Sequence, residues 1–376
     1  MVARVPPATP DDDSSAVPLV RVLTANRSED YHRVIYGAMP EWVTDDDLPP
    51  YLLLDAAARP RRLARWRRRS EPALGAALEA FDVFHLHWPE WLPQRSDPRA
   101  HERLIAALGR AGVAIVWTQH NLVPHDKQTR GAIVHQLWAD AAAGVIHHTH
   151  WGERVSREKY RFRTDAAQCI IPHPHFGPVL ASRGWSRPEV EDELGLRRGA
   201  LRLAVVGYPR VEKDVDLAMR AVAAARRTDV ELLVVCLWPG QDPVADSRIV
   251  AFPYEEVARA VYDDRLRAVD ALVMPFRPTG MLTTGTVGDA VAHGLPCIVS
   301  DWPFLAEALP GATIPYGRTA EDLTACIDGL TTQALTAARA GAIALRRSMS
   351  PELIARATAE LLRQAVAVER SRAGRP

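Results

Sequence analysis

Short apolar runs alternate with longer, mixed stretches along most of the 376-residue chain. Between Val20 and Pro174 the runs read VRVLT, DVFHLHW, VAIVWTQH, AGVIHH and CIIPHP. A second series follows Ala200: LRLAVVG, VELLVVCLW, SRIVAF, DALVMPF and PCIVSDW. Runs so short and so rich in Val, Ile and Leu predict buried strands, and the stretches between them predict crossover helices, the pattern of βαβ units around a parallel sheet. Two series predict an α/β chain of two doubly wound halves. Turn-formers and charges replace the apolar periodicity between about residues 178 and 200, so the boundary falls there, at 185/186. The expected units are 18–185 and 186–350, followed by a C-terminal helix over 351–376. That helix opens on Ser350-Pro351, a cap followed by Pro at the first helical position, and Ile354, Ala357, Leu361, Ala365 and Val368 make one apolar stripe. The stripe fits two placements equally: crossing back to the N-terminal domain, or flanking the second domain alone.

Composition changes this picture in only a few places. Lys plus Arg number 46 and Asp plus Glu number 46, so the formal charge is zero, which argues against bulk attraction to nucleic acid or to an anionic membrane and leaves room for a local basic groove. Any anion site has to be built locally. Cys169, Cys236, Cys297 and Cys326 are widely spaced with no CxxC pair, which reads as reduced thiols in a cytoplasmic protein. No run of about 18 apolar residues occurs, and the N-terminus lacks the basic-then-apolar order of a signal peptide. Residues 1–17 are rich in Pro, Asp and Ser and are expected to be disordered. The arginine-dense stretch 59–70, with Trp66 in it, reads as a solvated helix face or as a peripheral membrane or acceptor patch. Only Lys127, Lys159 and Lys213 are lysines, the other basic residues being Arg.

In open parallel sheets ligands bind beyond the carboxyl ends of the strands, so the residues just after each strand carry the chemical interest. After LRLAVV come Gly207, Tyr208, Pro209, Arg210, Val211, Glu212 and Lys213. A glycine allows close backbone approach, and two cations in one loop suit a diphosphate. After DALVMPF the chain reads Arg277 to Thr286 and enters a helix running to about His293. The amides of Thr284, Gly285 and Thr286 would stand at the positive end of that helix, a ready anion site. Asp289, one turn in, either reaches nucleotide sugar hydroxyls or stabilises the first turn. Eleven of the thirteen histidines fall between residues 85 and 175. His85 and His87 share one strand face, but without accompanying carboxylates the cluster reads as polar cleft histidines and not as a metal centre. His120 and Asn121 directly follow a strand and would point into a cleft between the halves.

Four segments together resemble the retaining GT-B glycosyltransferases of the large family 4 group, which use nucleotide sugars. They are FDVFHLHWPEW at 81–91, WTQHNLVPHD at 117–126, VVGYPRVEKDVDL at 205–217 and ALVMPFRPTGMLTTGTVGDAVAHGLPCIVSDWPFLAE at 271–307. The resemblance implies two Rossmann-like domains facing a central cleft, with acceptor binding in the N-terminal domain and nucleotide-sugar binding in the C-terminal one. The family places an Arg and a Lys on the diphosphate. Here Lys213 matches the Lys, Tyr208 holds the Arg position, and Arg210 is the candidate substitute. Of the family's two acidic residues seven apart, Asp289 matches the second as a shortened version, and Met281 stands at the first.

The implied reaction transfers a sugar from a UDP-, GDP- or dTDP-linked donor to a hydroxyl on a carbohydrate or small-molecule acceptor, with retention of anomeric configuration. Lys213, Arg210 and His120 are the catalytic candidates. Gly207, Tyr208, Lys213, Thr284, Gly285, Thr286 and Asp289 are the donor-binding candidates, and His87 and Asn121 face the acceptor. No metal or separate cofactor is implied. His120, with an ordinary pKa near 6.5, is expected either to exchange protons at neutral pH or to act as a satisfied hydrogen-bonding residue. Two other readings stand beside this one: a sugar-nucleotide epimerase of the same fold, and a non-catalytic accessory or sugar-binding subunit.

Overall fold

A computed structural model describes residues 18–24, 29–47, 74–92, 97–124, 129–277 and 280–374. The tail 1–17, the arginine-dense stretch 59–70 and His125 lie outside the described residues. The first half forms a sheet of β1 (Val20–Thr24), β2 (Val43–Asp47), β3 (Val83–Leu86), β4 (Ala114–Thr118), β5 (Gly144–His147) and β6 (Ala167–Ile170), ordered β2-β1-β3-β4-β5-β6. The second half forms a sheet of β7 (Leu201–Val205), β8 (Val230–Leu237), β9 (Ile249–Pro253), β10 (Ala271–Met274), β11 (Cys297–Ser300) and β12 (Thr313–Tyr316), ordered β12-β11-β10-β7-β8-β9. Every pairing in both sheets is parallel. The helices are α1 (Asp30–Tyr36), α2 (Pro98–Ala111), α3 (Thr129–Ala141), α4 (His150–Lys159), α5 (Arg187–Leu194), α6 (Val215–Ala224), α7 (Arg259–Arg267), α8 (Gly285–His293), α9 (Pro303–Ala308), α10 (Ala320–Asp328), α11 (Thr332–Ser348) and α12 (Pro351–Arg372).

The ten apolar runs coincide with β1 and with β3 to β11. The pattern missed β2 and β12, and both lie at sheet edges. β2 reads VTDDD and β12 reads TIPY, so neither shows an apolar run, whereas such runs do mark the other two edge strands, β6 and β9. The stretch taken as a turn-rich boundary also contains α5. Ser186 and Glu189 close a capping box at its start, and Val190 and Leu194 are buried in the second half's core.

Sheet order fixes where a ligand fits. β7 lies between β8 and β10, so the chain winds outward in both directions from it and the loops leaving β7 and β10 part to opposite faces. The same divergence occurs between β1 and β3 in the first sheet. Those two crevices face each other.

Several contacts hold the halves in that arrangement. The stripe on α12 packs on the first half's sheet: Ile354, Ala355, Leu361, Leu362 and Ala365 share a core with Val22, Val83, Val116 and Ile146. Gly144 permits this approach, because a Cβ there would lie 3.2 Å from the Ala365 Cβ and 3.1 Å from Val116. Asn121 and Met281 form an antiparallel bridge, and the amide of Leu282 donates to the His120 carbonyl at 3.1 Å. Met281 is therefore buried in the junction of the two halves.

Candidate functional site

A cavity of about 380 Å³ opens where the two crevices meet. Its C-terminal wall carries Gly207, Tyr208, Arg210, Thr283, Thr284, Gly285, Asp289 and the segment Tyr254–Val257, and its N-terminal wall carries Glu29, Asp30, Tyr31, Trp88, Trp91, His120 and Asn121. Both walls consist of residues that follow strand ends, as the crevice rule requires.

The loop after β7 is built around one glycine. Gly207 has φ +87°, and a Cβ there would lie 2.8 Å from the Lys213 ammonium. Lys213 stands behind the wall, not on it, with 9% of its surface exposed and Nζ donating to the Val206 carbonyl at 2.5 Å. The absent side chain at 207 is thus the opening through which this cation meets the cavity. Burial lowers the Lys213 pKa to about 8, with the Cys236 and Asp289 side chains acting upward and Arg210 downward. Asp214 holds the loop in place by capping α6 and pairing with Arg277 at 2.8 Å. We expect Gly207→Ala to weaken binding of a nucleoside diphosphate about tenfold or more, because the new methyl meets the ammonium and a left-handed residue other than Gly is strained by about 1–2 kcal/mol. Calorimetric titration of GDP and UDP checks this, and wild-type affinity in the variant would detach the ammonium from ligand binding.

The positive end of α8 supplies the second half of an anion cradle. Thr284 caps the helix, its Oγ1 accepting from the Thr286 amide at 3.4 Å. The wall residues there are Thr283, Thr284 and Gly285, whereas Thr286 sits behind them, 8% exposed. With one amide already shared by the cap, the Gly285 and Thr284 amides are the better anion donors of the predicted three.

Asp289 lines the cavity but is not a bare carboxylate. Arg259 Nη2 donates to it at 2.7 Å and the Tyr262 hydroxyl at 3.0 Å. Burial raises its pKa, and Arg259 opposes that rise. Arg259 also pairs with Asp263 at 2.9 Å and, across the cleft, with Asp30 at 3.1 Å. Sequence reasoning missed Arg259 and Tyr262; their i, i+3, i+4 spacing with Asp263 on α7 was the available signal.

His120 is on the cavity wall, and its neighbours determine its protonation. Trp88 stacks on its ring at 4.3 Å, Tyr31 meets it edge-on at 4.7 Å, and its Nε2 lies 3.3 Å from His87 Nδ1. Burial pushes its pKa well below the ordinary histidine value, and His148, His87 and His173 push it the same way. Of the two expected roles, that direction favours a polar residue held by its neighbours over one that exchanges protons at neutral pH. His87 lies behind it, buried and away from the cavity surface, so His87 supports His120 instead of facing an acceptor. Asn121 is on the wall and donates from Nδ2 to Glu90 Oε1 at 3.3 Å.

Tyr208 is more than half exposed and meets Tyr254 edge-on at 5.0 Å. Both rings line the cavity, beside Gly207 and Arg210. Arg210 is on the wall, where it faces Glu212, Glu90 and Glu29. Among the described residues no group of three or more His, Cys, Asp or Glu is arranged to hold a metal ion, and no helix is long and apolar enough to cross a membrane.

Two Rossmann-like halves facing a cleft with an anion cradle on one wall define the GT-B fold. Solved structures agree: HepE of Anabaena, determined with UDP-glucose, superposes with a TM-score of 0.64 at 14% identity, covering 92% of this chain and 99% of that one. A Listeria monocytogenes protein described as a UDP-N-acetylglucosamine 2-epimerase gives a TM-score of 0.55 at 15% identity, over 90% and 94% of the two chains. In sequence the chain is 26% identical over 260 residues to the GDP-mannose:glycolipid 4-beta-D-mannosyltransferase of Xanthomonas campestris pv. campestris, covering 62% of this chain and 69% of that protein. No protein-family model matches. By fold the chain is a GT-B protein.

Proposed function

We propose that this protein transfers a glycosyl group from a nucleotide-diphosphate sugar to a hydroxyl acceptor, with the diphosphate held between the Gly207 loop and the start of α8. The observation that carries this reading is the convergence of Gly207, the Lys213 ammonium behind it and the Thr284–Gly285 helix end on one cavity that also reaches the other domain. Positive charge there stabilises the diphosphate as it leaves, and Arg210 adds to it. Tyr208, Tyr254 and Val257 form the adjoining mouth, a suitable seat for the base. Asp289 meets the ribose by sharing or exchanging its bond to Arg259. On the facing wall, Trp91, one face of which stacks on Trp88 at 4.3 Å, presents apolar aromatic surface of the kind that packs on the C–H faces of a sugar, which favours a carbohydrate acceptor.

GDP-linked mannose is the first donor to try, given the activity in the relative's name, with UDP-glucose second. Incubation of the pure protein with these donors, followed by chromatography of the nucleotides and NMR of the sugars, tests the reading. Release of nucleoside diphosphate supports transfer, interconversion of the sugar at constant nucleotide sugar supports an epimerase, and binding without turnover supports an accessory subunit. The resemblance implies retention of configuration; a single displacement with inversion is the alternative, and it requires a base on the acceptor wall.

A further inference from the structure

We propose that Glu29 is the general base that takes the proton of the acceptor hydroxyl, and that the reaction consequently inverts the anomeric centre. This rests on the transfer reading above and departs from the retention that the family resemblance implies.

The case starts from the carboxylates on the cavity wall. They are Glu29, Asp30, Glu255, Glu256 and Asp289. Asp289 is bound by Arg259 and Tyr262, and Asp30 pairs with Arg259 at 3.1 Å and with Arg33 at 3.3 Å. Glu255 and Glu256 are exposed and belong to the wall that holds the donor. Glu29 alone of the five is on the acceptor wall with no hydrogen bond or ion pair to its carboxylate among the described residues. Met281 fills the position where the family carries an acid near the donor sugar, and it is buried in the domain junction. The cleft histidines are depressed by burial and are weak bases.

Placement matters as much as availability. The diphosphate cradle is on the C-terminal wall and Glu29 is on the facing N-terminal wall. A single displacement assisted by Glu29 requires the hydroxyl to meet the anomeric carbon on the face away from the leaving phosphate, and the N-terminal wall is where a hydroxyl reaches Glu29. Its proton passes to a Glu29 carboxylate oxygen, and its lone pair forms the new C–O bond. The bond from the anomeric carbon to the phosphate oxygen breaks, its electron pair staying on the diphosphate beside Lys213 and the α8 amides. Glu29 then releases the proton to water.

The surroundings also tune Glu29. Partial burial raises its pKa, Asp30 beside it and Glu256 across the mouth push the same way, and Arg210 opposes them. A carboxylate raised in this manner is a stronger base than an ordinary one.

The test uses GDP-α-D-mannose and UDP-α-D-glucose with water as the acceptor, and reads the first sugar released by ¹H NMR before it mutarotates. The expected first product is the β anomer. In Glu29→Gln, cleavage is expected to fall by about 10²-fold or more while GDP affinity stays within about twofold. The wild-type rate is expected to rise with pH through the Glu29 ionisation, and the variant is expected to lose that limb. Release of the α anomer first, or wild-type cleavage by the variant, overturns the proposal and leaves glycosyl transfer standing. Failure of the wild-type protein to bind or cleave any donor removes the transfer reading, and this inference with it. If the variant does not fold, the anomer released by the wild-type protein decides alone.

Discussion

Lys213→Ala is expected to lower kcat/KM for the nucleotide-sugar donor by about 10²-fold, a loss of the size produced by removing one preorganised donor to a developing anion. The ammonium is buried behind Gly207, so its charge acts through a medium poorer in water than a surface lysine would meet, and no other lysine of the chain stands in this loop. Arginine should not rescue it, because the Gly207 opening leaves a Cβ only 2.8 Å from Nζ and a planar guanidinium is bulkier than an ammonium. A second signature accompanies the first. With its pKa lowered to about 8, chiefly by burial, Lys213 is charged at pH 7 and loses its proton as the pH rises through 8. Donor affinity in the wild-type protein is therefore expected to fall above pH 8, and the alanine variant is expected to lack that fall. Steady-state kinetics between pH 6.5 and 9 measures both; unchanged kinetics in the variant would remove the lysine from the donor site.

Acidification to about pH 5.5 is expected to unfold the protein or bring it close to unfolding. Burial lowers the pKa of His85 and His173 to about 3 and of His147 and His148 to about 4, and holds His87 and His120 well below the ordinary value. The sign follows from which state binds more protons. Below an unfolded pKa of about 6.5 these histidines protonate in the unfolded chain but stay neutral when folded, so stability is full above that value and is lost as the pH falls. Each of the four whose pKa falls to about 3 or 4 contributes roughly 1.4 kcal/mol of lost stability at pH 5.5, roughly 6 kcal/mol together, and His87 and His120 act in the same direction. That is comparable to the entire stability of an ordinary domain, about 5–15 kcal/mol. Urea unfolding at pH 7.5 and 5.5, followed by circular dichroism, reads the difference. Equal midpoints at the two pH values would mean that the cleft histidines are hydrated and titrate normally.

How much of this was legible in the sequence depends on whether the cause is local. Ten strands were, because a buried parallel strand writes its burial into a run of Val, Ile and Leu; β2 and β12 were not, because VTDDD is mostly acidic and TIPY is short and broken by Pro. Gly207, Lys213, Thr284 and Gly285 were legible because the residue after a strand end is chemically placed by the fold class itself. The same rule, applied equally to the first sheet, points to Glu29 and Asp30 after β1, but a polar segment beyond a short strand reads as an ordinary loop. Arg259 was missed because its local spacing with Asp263 marks only a helix pair, and its importance lies in partners 30 and 229 residues away in sequence, Asp289 and Asp30. The two roles left open for His120 could not be separated in the sequence for a related reason: burial by Trp88, Tyr31 and its neighbouring imidazoles is a property of the folded chain.

The central claim is that a nucleoside diphosphate seats its phosphates where the Gly207 opening meets the first turn of α8. A crystal structure of the protein soaked with GDP or UDP measures this directly. The predicted result is a β-phosphate within hydrogen-bonding distance of the Lys213 ammonium and the Gly285 amide, with the base toward Tyr208 and Tyr254. A nucleotide seated elsewhere, with that cavity empty of it, would contradict the claim.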